Sequence, residues 1–373
     1  MIIVELDAIL REGVYRGASD IHLVNKMRPI YRINRELTEM QNAEQLNEND
    51  LNEFFQVLTK SNEGILQSFN RERKLDMNYE VDGVRFRVNA SLSNGILTYT
   101  LRIVKNELPE FRNLGLPDIV RKTALLPQGM MMITGKSNSG KTTTLNALVN
   151  EINKTAKKKI LMLEDPIEYS HKSINSLIIQ KEIGEGKDCL TFSAGTYNSL
   201  REDCDIVIIG EVRDSKTMDA MLEMAEAGHF VIGTMHTKSC AETIDRIINF
   251  YEISDQKTIK YMVSSVLKAV VSQRLLKGIN GGLVMVPEIM LVNDIIAGAI
   301  RKEKLTSSEI EDAILTSQST GSLSFIFSLA NLVATNKISL DTAKSQIDEK
   351  SYTHLTNTIA RMKNNTLNWS GMN

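Results

Sequence analysis

One eight-residue stretch constrains the fold of this chain more than any other. Residues 135–142 read Gly-Lys-Ser-Asn-Ser-Gly-Lys-Thr, a G-x-x-x-x-G-K-T pattern. An apolar run at 130–133 precedes it, and a helical pattern at 143–149 follows it. A strand, a glycine-rich loop and a helix in this order are the context of a P-loop, which binds nucleotide phosphates. The alternative is a tight turn before an ordinary helix.

The residues of this loop have separate predicted roles. The backbone N–H groups of the loop and the N-terminus of the next helix attract anions, so they would hold the phosphates of a nucleotide. The ammonium of Lys141 would contact the β- and γ-phosphates, and the Thr142 hydroxyl would bind Mg²⁺. The motif therefore predicts a nucleotide and Mg²⁺ as ligands. The predicted cofactor-binding residues are Gly135, Ser137, Asn138, Ser139, Gly140, Lys141, Thr142 and Thr143.

Composition argues against several classes of protein. Of the 373 residues, 42% are hydrophobic and 24% are charged, as in a globular protein of more than one domain. The formal net charge of −2 argues against a dedicated nucleic-acid binder. No apolar stretch approaches the roughly 18 residues of a membrane span. The three cysteines are widely spaced and no basic, apolar leader is apparent, so we expect a cytoplasmic protein.

The pattern along the chain predicts two domains, a linker and a helical tail. Residues 1–105 mix strand-like and helical segments, and 106–117 holds two of the six prolines, which marks a linker. Residues 118–290 alternate apolar strands with helices, which is typical of a parallel sheet covered on both faces. Residues 291–373 are expected to be helical, with a polar tail at the end.

Local periodicity predicts individual elements. We predict a helix around Ile9 and a surface helix within 45–64, and Asp82-Gly83 between alternating runs predicts a hairpin. An amphipathic helix is expected over 262–276. Strands are predicted at 19–23, 28–33, 75–81, 84–90, 97–104, 130–134, 160–163, 206–209 and 230–234.

Acidic residues follow two of the predicted core strands. Glu164 and Asp165 end one strand, and Glu211 ends another after Gly210. The carboxyl ends of parallel strands share the edge at which such sheets bind ligands. We predict that Glu211 holds the metal ion together with Thr142, and that Glu164 holds the metal or polarises an attacking water. A solvated turn and a helix cap are the alternatives.

Two histidines flank a further core strand. His236 comes just after strand 230–234, at the edge of the acids, where it could sense the γ-phosphate through a water or a neighbouring acid. His229 comes just before the same strand. A lone histidine is more often structural. Metal binding by these histidines is not expected, because no second His or Cys stands at a ligand spacing.

These segments, in this order and spacing, resemble the Walker A, Asp-box, Walker B and His-box motifs of the secretion-ATPase superfamily. Within it, the chain resembles the motors of type IV pili, from about residue 13 to about residue 345. Further segments resemble the family's N-terminal signature, its arginine-bearing strand, its lead-in to Walker B and the segment that closes its ATPase core. They are 17–23, 83–89, 200–203 and 269–276.

The resemblance implies a fold, an assembly and further site residues. The fold is α/β, with an N-terminal PAS-like α/β domain and a RecA-like P-loop ATPase domain with a helical C-terminal tail. Six copies would form a homohexamer that hydrolyses ATP. A solvated strand face is the alternative for the arginines. The implied catalytic residues are the sensor or finger arginines Arg85, Arg87 and Arg102, the water-activating Glu164, the Walker B Glu211, and His229 and His236.

The chain most resembles the retraction motors of the family, the PilT type. Its length and the tail segment 321–329 resemble theirs, and it shows neither the long extension nor the four-cysteine zinc module of extension and type II secretion motors. One departure concerns their C-terminal Ala-Ile-Arg motif. Ala297 stands at the position of its arginine, and Ala299-Ile300-Arg301 lies about one helical turn later. The implied activity is pilus retraction in twitching motility.

The implied partners are an inner-membrane pilus platform protein and, only through it, the membrane, with no stable nucleic-acid partner. Three alternatives stay open. The first is a motor for pilus extension, competence or type II secretion. The second is a RecA-like nucleic-acid translocase, which needs a basic face with stacking aromatics. The third is a regulator that binds nucleotide without hydrolysing it.

Overall fold

The computed structural model describes residues 5–33, 36–60, 62–104 and 108–364. Two compact units divide the chain. The N-terminal unit comprises Met1–Glu107, Glu164–Ser170 and Lys181–Thr191. The C-terminal unit comprises Leu108–Leu163, His171–Gln180 and Phe192–Asn373. Residues 106 and 107 of the predicted linker and 365–373 of the predicted polar tail lie outside the described residues.

The N-terminal unit is built on a six-stranded antiparallel sheet of order β3-β2-β1-β6-β5-β4. Its strands are β1 (Asp20–Leu23), β2 (Ile30–Ile33), β3 (Glu36–Glu39), β4 (Lys74–Val81), β5 (Val84–Ser93) and β6 (Ile96–Ile103). Its helices are α1 (Leu6–Tyr15), α2 (Glu48–Thr59) and α3 (Glu63–Glu72).

Alternation along these strands gives the sheet one apolar and one polar face. On the apolar face, the hydroxyl of Tyr31 donates to the Ile9 carbonyl of α1 at 3.0 Å, and that of Tyr99 donates to the Leu51 carbonyl of α2 at 2.7 Å. Burial raises the pKa of both tyrosines. The predicted helix at Ile9 and the hairpin at 82–83 are confirmed, whereas β3 and α3 were not predicted.

The C-terminal unit contains a seven-stranded sheet of order β13-β12-β7-β11-β10-β8-β9. Its strands are β7 (Gly129–Thr134), β8 (Lys159–Glu164), β9 (Leu177–Glu182), β10 (Ile206–Ile209), β11 (Phe230–Met235), β12 (Leu267–Lys277) and β13 (Leu283–Leu291). Its helices are α4 (Asp118–Ala124), α5 (Lys141–Thr155), α6 (Phe192–Ser199), α7 (Ser215–Glu226), α8 (Cys240–Ile248), α9 (Ile253–Val266), α10 (Asp294–Ile300), α11 (Ser307–Thr316), α12 (Phe325–Ala334), α13 (Leu340–Lys344) and α14 (Glu349–Lys363).

The central strands are parallel and apolar because helices cover both faces of the sheet. Every residue of β7, β10 and β11 is buried. The predicted core strands are confirmed, and the α/β fold class with a helical C-terminal region is confirmed with them. No helix in the described ranges is long and apolar enough to cross a membrane.

The prediction of an amphipathic helix over 262–276 is wrong. Helix α9 ends at Val266, and the chain continues directly into β12, which pairs parallel with β7 and antiparallel with β13. The run 269–272 is buried on both faces of the sheet, and such an apolar run carries no period that separates strand from helix. The β-branched Val270 and Val271 favour the strand. The sheet is therefore mixed rather than wholly parallel.

A buried polar group joins helix α5 to the chain after β8. Asn146 of α5 donates from Nδ2 to the Thr142 carbonyl at 2.9 Å. Its Oδ1 lies 2.7 Å from Nε2 of His171, which therefore carries the proton. Burial lowers the pKa of His171 from 6.5 to about 4, so the ring is neutral at pH 7. The hydrogen bond between Asn146 and His171 thus ties the N-terminal half of α5 to the chain after β8.

Truncation of a core residue should destabilise the protein far more than the same change at the surface. Ile232 of β11 is fully buried and Ile253 of α9 is 87% exposed. We expect Ile232→Ala to lower the free energy of unfolding of the C-terminal unit by about 2–5 kcal/mol, because it leaves a cavity. Ile253→Ala should change it by less than about 0.5 kcal/mol. Urea denaturation followed by circular dichroism tests both, and equal midpoints would contradict the assignment of β11 to the core.

Acid should destabilise the C-terminal unit through His171. The pKa of this ring is lower in the folded chain than in the unfolded chain, so the unfolded chain binds the proton first as the pH falls below 6.5. Stability should decrease between pH 6.5 and pH 4, by up to about 3 kcal/mol from this group. In His171→Gln that decrease should be smaller, whereas the exposed His354→Gln should follow the wild type. Parallel curves for all three proteins in urea titrations over this range would exclude the effect.

Candidate active site

The loop after β7 is crowded around its glycines. Gly135 has φ 154° and Gly140 has φ 86°, both in the region that favours glycine. A Cβ on Gly135 would lie 2.3 Å from Ser139 Oγ and 2.5 Å from the Gln273 carbonyl oxygen. A side chain at Gly135 would therefore fill the concave side of the loop, which explains the residue type at the first position of the motif.

The loop leads into the N-terminus of α5, where an anion is favoured. Gly140 precedes this 15-residue helix and provides no side-chain cap. The helix dipole and its first N–H groups therefore attract a negatively charged ligand. Ser139 Oγ is buried and makes no hydrogen bond within the described ranges. The glycine cradle, the uncapped helix and this hydroxyl all fit a phosphate group.

Lys141, the first residue of α5, lies across the loop. Its Nζ donates to the carbonyl oxygens of Gly135 at 2.9 Å and Lys136 at 3.2 Å, and it lies 3.3 Å from Nδ1 of His236. Burial lowers the pKa of Lys141, and the nearby carboxylate of Glu211 partly offsets this. Lys141, the residue predicted to bind the phosphates, thus lies at the loop beside His236.

His236 joins Lys141 to Glu211. Its Nε2 lies 3.4 Å from Glu211 Oε1, and Arg213 Nη2 donates to Glu211 Oε2 at 2.6 Å. Burial raises the pKa of Glu211, but the hydrogen bond from Arg213 and the nearby positive charge, that of Lys141 included, together outweigh burial, so the pKa is lowered. Burial and then Lys141 lower the pKa of His236. A neutral ring that accepts from Lys141 at Nδ1 carries its proton at Nε2, the nitrogen that faces the Glu211 carboxylate.

Glu164 lies at the carboxyl end of β8. Its strand is parallel to β10, with Leu163 opposite Ile209, and the side chain is 4% exposed. Its carbonyl oxygen accepts a hydrogen bond from the Ile183 N–H at 2.8 Å. Since Glu211 follows β10 by two residues, the strand order places both acids at the carboxyl edge of the sheet.

The structure does not bring His229 to this edge. His229 precedes β11 and His236 follows it, so the two residues lie at opposite ends of a six-residue strand, about 23 Å apart along the chain direction. The Nδ1 of His229 donates to the Cys204 carbonyl at 2.7 Å. This geometry indicates a structural contact at the amino end of the sheet.

The three predicted arginines share the polar face of the N-terminal sheet. Arg87 of β5 lies directly opposite Arg102 of β6, and Arg85 lies two residues before Arg87 on the same face. Arg102 Nε donates to Asp20 Oδ1 at 2.9 Å. Arg85 is 14% exposed and donates to the Ile167 carbonyl at 3.4 Å.

Gln273 is a site residue that the sequence did not reveal. It is fully buried on β12, and its Nε2 donates to the Ser139 carbonyl of the loop at 2.8 Å. It fell within the helix wrongly predicted over 262–276. Recognition of β12 as the strand beside β7 would have placed Gln273 next to the loop.

A cavity of about 700 Å³ lies beside the same helix terminus. Its volume is in the range of small-molecule sites. Its lining residues include Leu114, Leu116, Gly140, Thr143, Leu275 and Asn331.

The chain shares its sequence pattern with known proteins. Residues 1–307 match the family described as Type II/IV secretion system protein. The type IV pilus retraction ATPase PilT of Pseudomonas aeruginosa is 34% identical over 343 residues, which cover 92% of this chain and 98% of that protein. A twitching motility protein of Neisseria gonorrhoeae is 37% identical over 278 residues, 74% of this chain and 73% of its own length.

A solved structure shows the same architecture. The crystal structure of the pilus retraction motor PilT with bound ADP superposes with a TM-score of 0.83 at 32% identity, over 94% of this chain and 99% of that chain. With the P-loop geometry and the match over residues 1–307, this similarity leads to one conclusion: the chain belongs to the type II/IV secretion system protein family.

Proposed function

We propose that the chain is an ATP-hydrolysing motor that powers retraction of type IV pili. The observation that carries the proposal is the similarity to the Pseudomonas retraction ATPase, which extends over 98% of that protein. The loop, the acids and His236 supply the chemistry that such an activity needs. In the ring of the proposed homohexamer, hydrolysis would drive movement of the domains.

The loop would bind ATP through its phosphates. The glycine cradle and the uncapped N-terminus of α5 hold anionic oxygens, and Lys141 neutralises part of their charge. The cavity beside Gly140 and Thr143 would take the nucleoside. The hydroxyl of Thr142 and the carboxylate of Glu211 would hold Mg²⁺, which when bound neutralises charge on the phosphate oxygens.

The acids and His236 would have different roles. Glu164, buried at the carboxyl edge of the sheet, would orient the attacking water. His236 would transmit the state of the phosphate site, because one ring nitrogen faces Lys141 and the other faces Glu211. Arg87 and Arg102 would stabilise charge on the γ-phosphate oxygens.

The remaining organisation follows from the same resemblance. We propose a PAS-like domain over 1–105, a linker over 106–117, an ATPase core over 118–290 and a helical region over 291–373. The proposed partner is a pilus platform protein of the inner membrane, which would hold the ring at the inner face of the cytoplasmic membrane.

The departure in the C-terminal motif has a structural counterpart. Ala297 is buried in α10, so the position of the missing arginine faces the interior. Arg301, at the end of α10, donates from Nε to Ser264 Oγ at 2.7 Å and lies over the ring of Tyr261 at 5.7 Å. An arginine is thus present at this end of the helix and is held by α9.

Loss of either acid should stop hydrolysis without removing the nucleotide. We expect Glu164→Gln and Glu211→Gln to lower kcat at least about 100-fold, because each removes a carboxylate that acts in the transition state. ADP affinity of Glu164→Gln should stay within about threefold, since this residue is not assigned to the phosphate cradle. Phosphate release and fluorescent ADP titration measure the two quantities. Glu226→Gln, exposed on α7, is the matched control. Full hydrolysis by Glu164→Gln would contradict its assignment, and no hydrolysis by the wild type would favour the nucleotide-binding regulator.

Deletion of the gene should show the direction of work. A retraction motor removes pilins from the pilus base, so we expect cells that carry excess pili and do not twitch. Electron microscopy of surface pili and a subsurface motility assay provide the readouts. The deletion strain is complemented with the wild-type allele and, in parallel, with a Lys141→Ala allele. Bald deletion cells would instead identify an extension motor. Stimulation of the purified ATPase by single-stranded DNA would support a nucleic-acid translocase.

A further inference from the structure

The chain after Glu164 packs within the N-terminal unit. Residues 164–170 belong to that unit, although β8 belongs to the seven-stranded sheet. In this segment, the Ile167 carbonyl accepts hydrogen bonds from Asn78 Nδ2 at 3.0 Å and from Arg85 Nη1 at 3.4 Å. The carbonyl three residues after Glu164 is thus held by two side chains of the polar face.

The same amide nitrogen also binds the end of β9, where the next residue hydrogen-bonds to the backbone of Glu164. Asn78 Nδ2 donates to Glu182 Oε2 at 2.7 Å. The next residue, Ile183, donates its backbone N–H to the Glu164 carbonyl at 2.8 Å. The two hydrogen bonds from the Asn78 amide therefore reach two segments. One is the chain after Glu164, and the other is the end of β9, next to the residue that binds the Glu164 carbonyl.

The orientation of this amide is determined by its surroundings. Asn78 Oδ1 is buried and accepts no hydrogen bond within the described ranges. A rotated amide would place this oxygen against the Ile167 carbonyl and the Glu182 carboxylate, which are both acceptors. Glu182 is fixed in turn by an ion pair with Lys187, with side chains 12% and 17% exposed respectively. A buried acceptor without a partner costs stability. Oδ1 of Asn78 carries this cost, while Nδ2 keeps both of its hydrogen bonds.

We propose that Asn78 is a positioning residue that sets the place of the Glu164 carboxylate for hydrolysis. The inference rests on the proposed role of Glu164 in orienting water. A displacement of about 1 Å at a reacting group can cost about 100-fold in rate, so a residue outside the phosphate cradle can control kcat. Asn78 would affect turnover and leave the binding of nucleotide unchanged.

The test removes the two donors while it keeps the shape of the side chain. Asn78→Asp is isosteric, has no N–H group and places a charge beside Glu182. We expect kcat to fall about 10- to 100-fold, while KM and the affinity for ADP stay within about twofold. Asn89→Asp is the control, because Asn89 lies on β5 and donates to exposed Asp76. Asn78→Ala, which has no side-chain donor, serves if the aspartate variant folds poorly.

A second measurement separates positioning from a general structural role. In a Glu164→Gln background, Asn78→Asp should lower kcat by less than about twofold further, because both changes act through one carboxylate. Wild-type kcat in Asn78→Asp or Asn78→Ala would overturn the proposal. A fall in kcat that is matched by an equal loss of ADP binding, or that is fully additive with Glu164→Gln, would overturn it as well. An inactive wild type would instead overturn the proposed ATPase function.

Discussion

The parallel register of the central strands is the constraint on which the rest of the site depends. Thr134 lies opposite Met235, and Leu163 lies opposite Ile209, so β7, β11, β10 and β8 reach the same edge at fixed levels. The strand residues that hold this register are buried, whereas the residues of the proposed site lie at the last strand residue or shortly after it. A slip of one residue would move a group of the proposed site by about 3.3 Å. The packing of the hydrophobic core thus determines the spacing of the polar groups at the carboxyl edge of the sheet.

At that edge, charge is balanced by a short chain of contacts. His236 lies between a cation and an anion, and Arg213 neutralises the far side of the same carboxylate. Burial alone would favour neutral forms of Lys141 and Glu211, and each carries its charge with the help of the other. Phosphate oxygens that enter would compete for Lys141. Such competition gives the neutral ring of His236 a physical means to respond to the ligand.

Much of this arrangement is predictable from sequence because its signals are local. The P-loop pattern, the apolar strands and the acids after them each occupy a few consecutive residues, and the resemblance connected them. Gln273 and Asn78 were not predicted from the sequence, for a different reason. The contact of Gln273 with Ser139 and that of Asn78 with Ile167 join residues 134 and 89 positions apart, and no local period encodes such contacts. The resemblance implied roles for both His229 and His236, but the two residues lie at opposite ends of one strand and therefore at opposite edges of the sheet.

The N-terminal unit is discontinuous, and this has a consequence for the order in which the chain can assemble. A ribosome that has released residues 1–105 has supplied the six-stranded sheet but not the segments 164–170 and 181–191 that complete the unit. The bonds from Asn78 to Glu182 and from Arg71 to Glu185 can form only after β7, the P-loop helix and β8 have emerged. Completion of the first unit in the sequence therefore waits for the second to begin, and neither is a wholly independent module of synthesis.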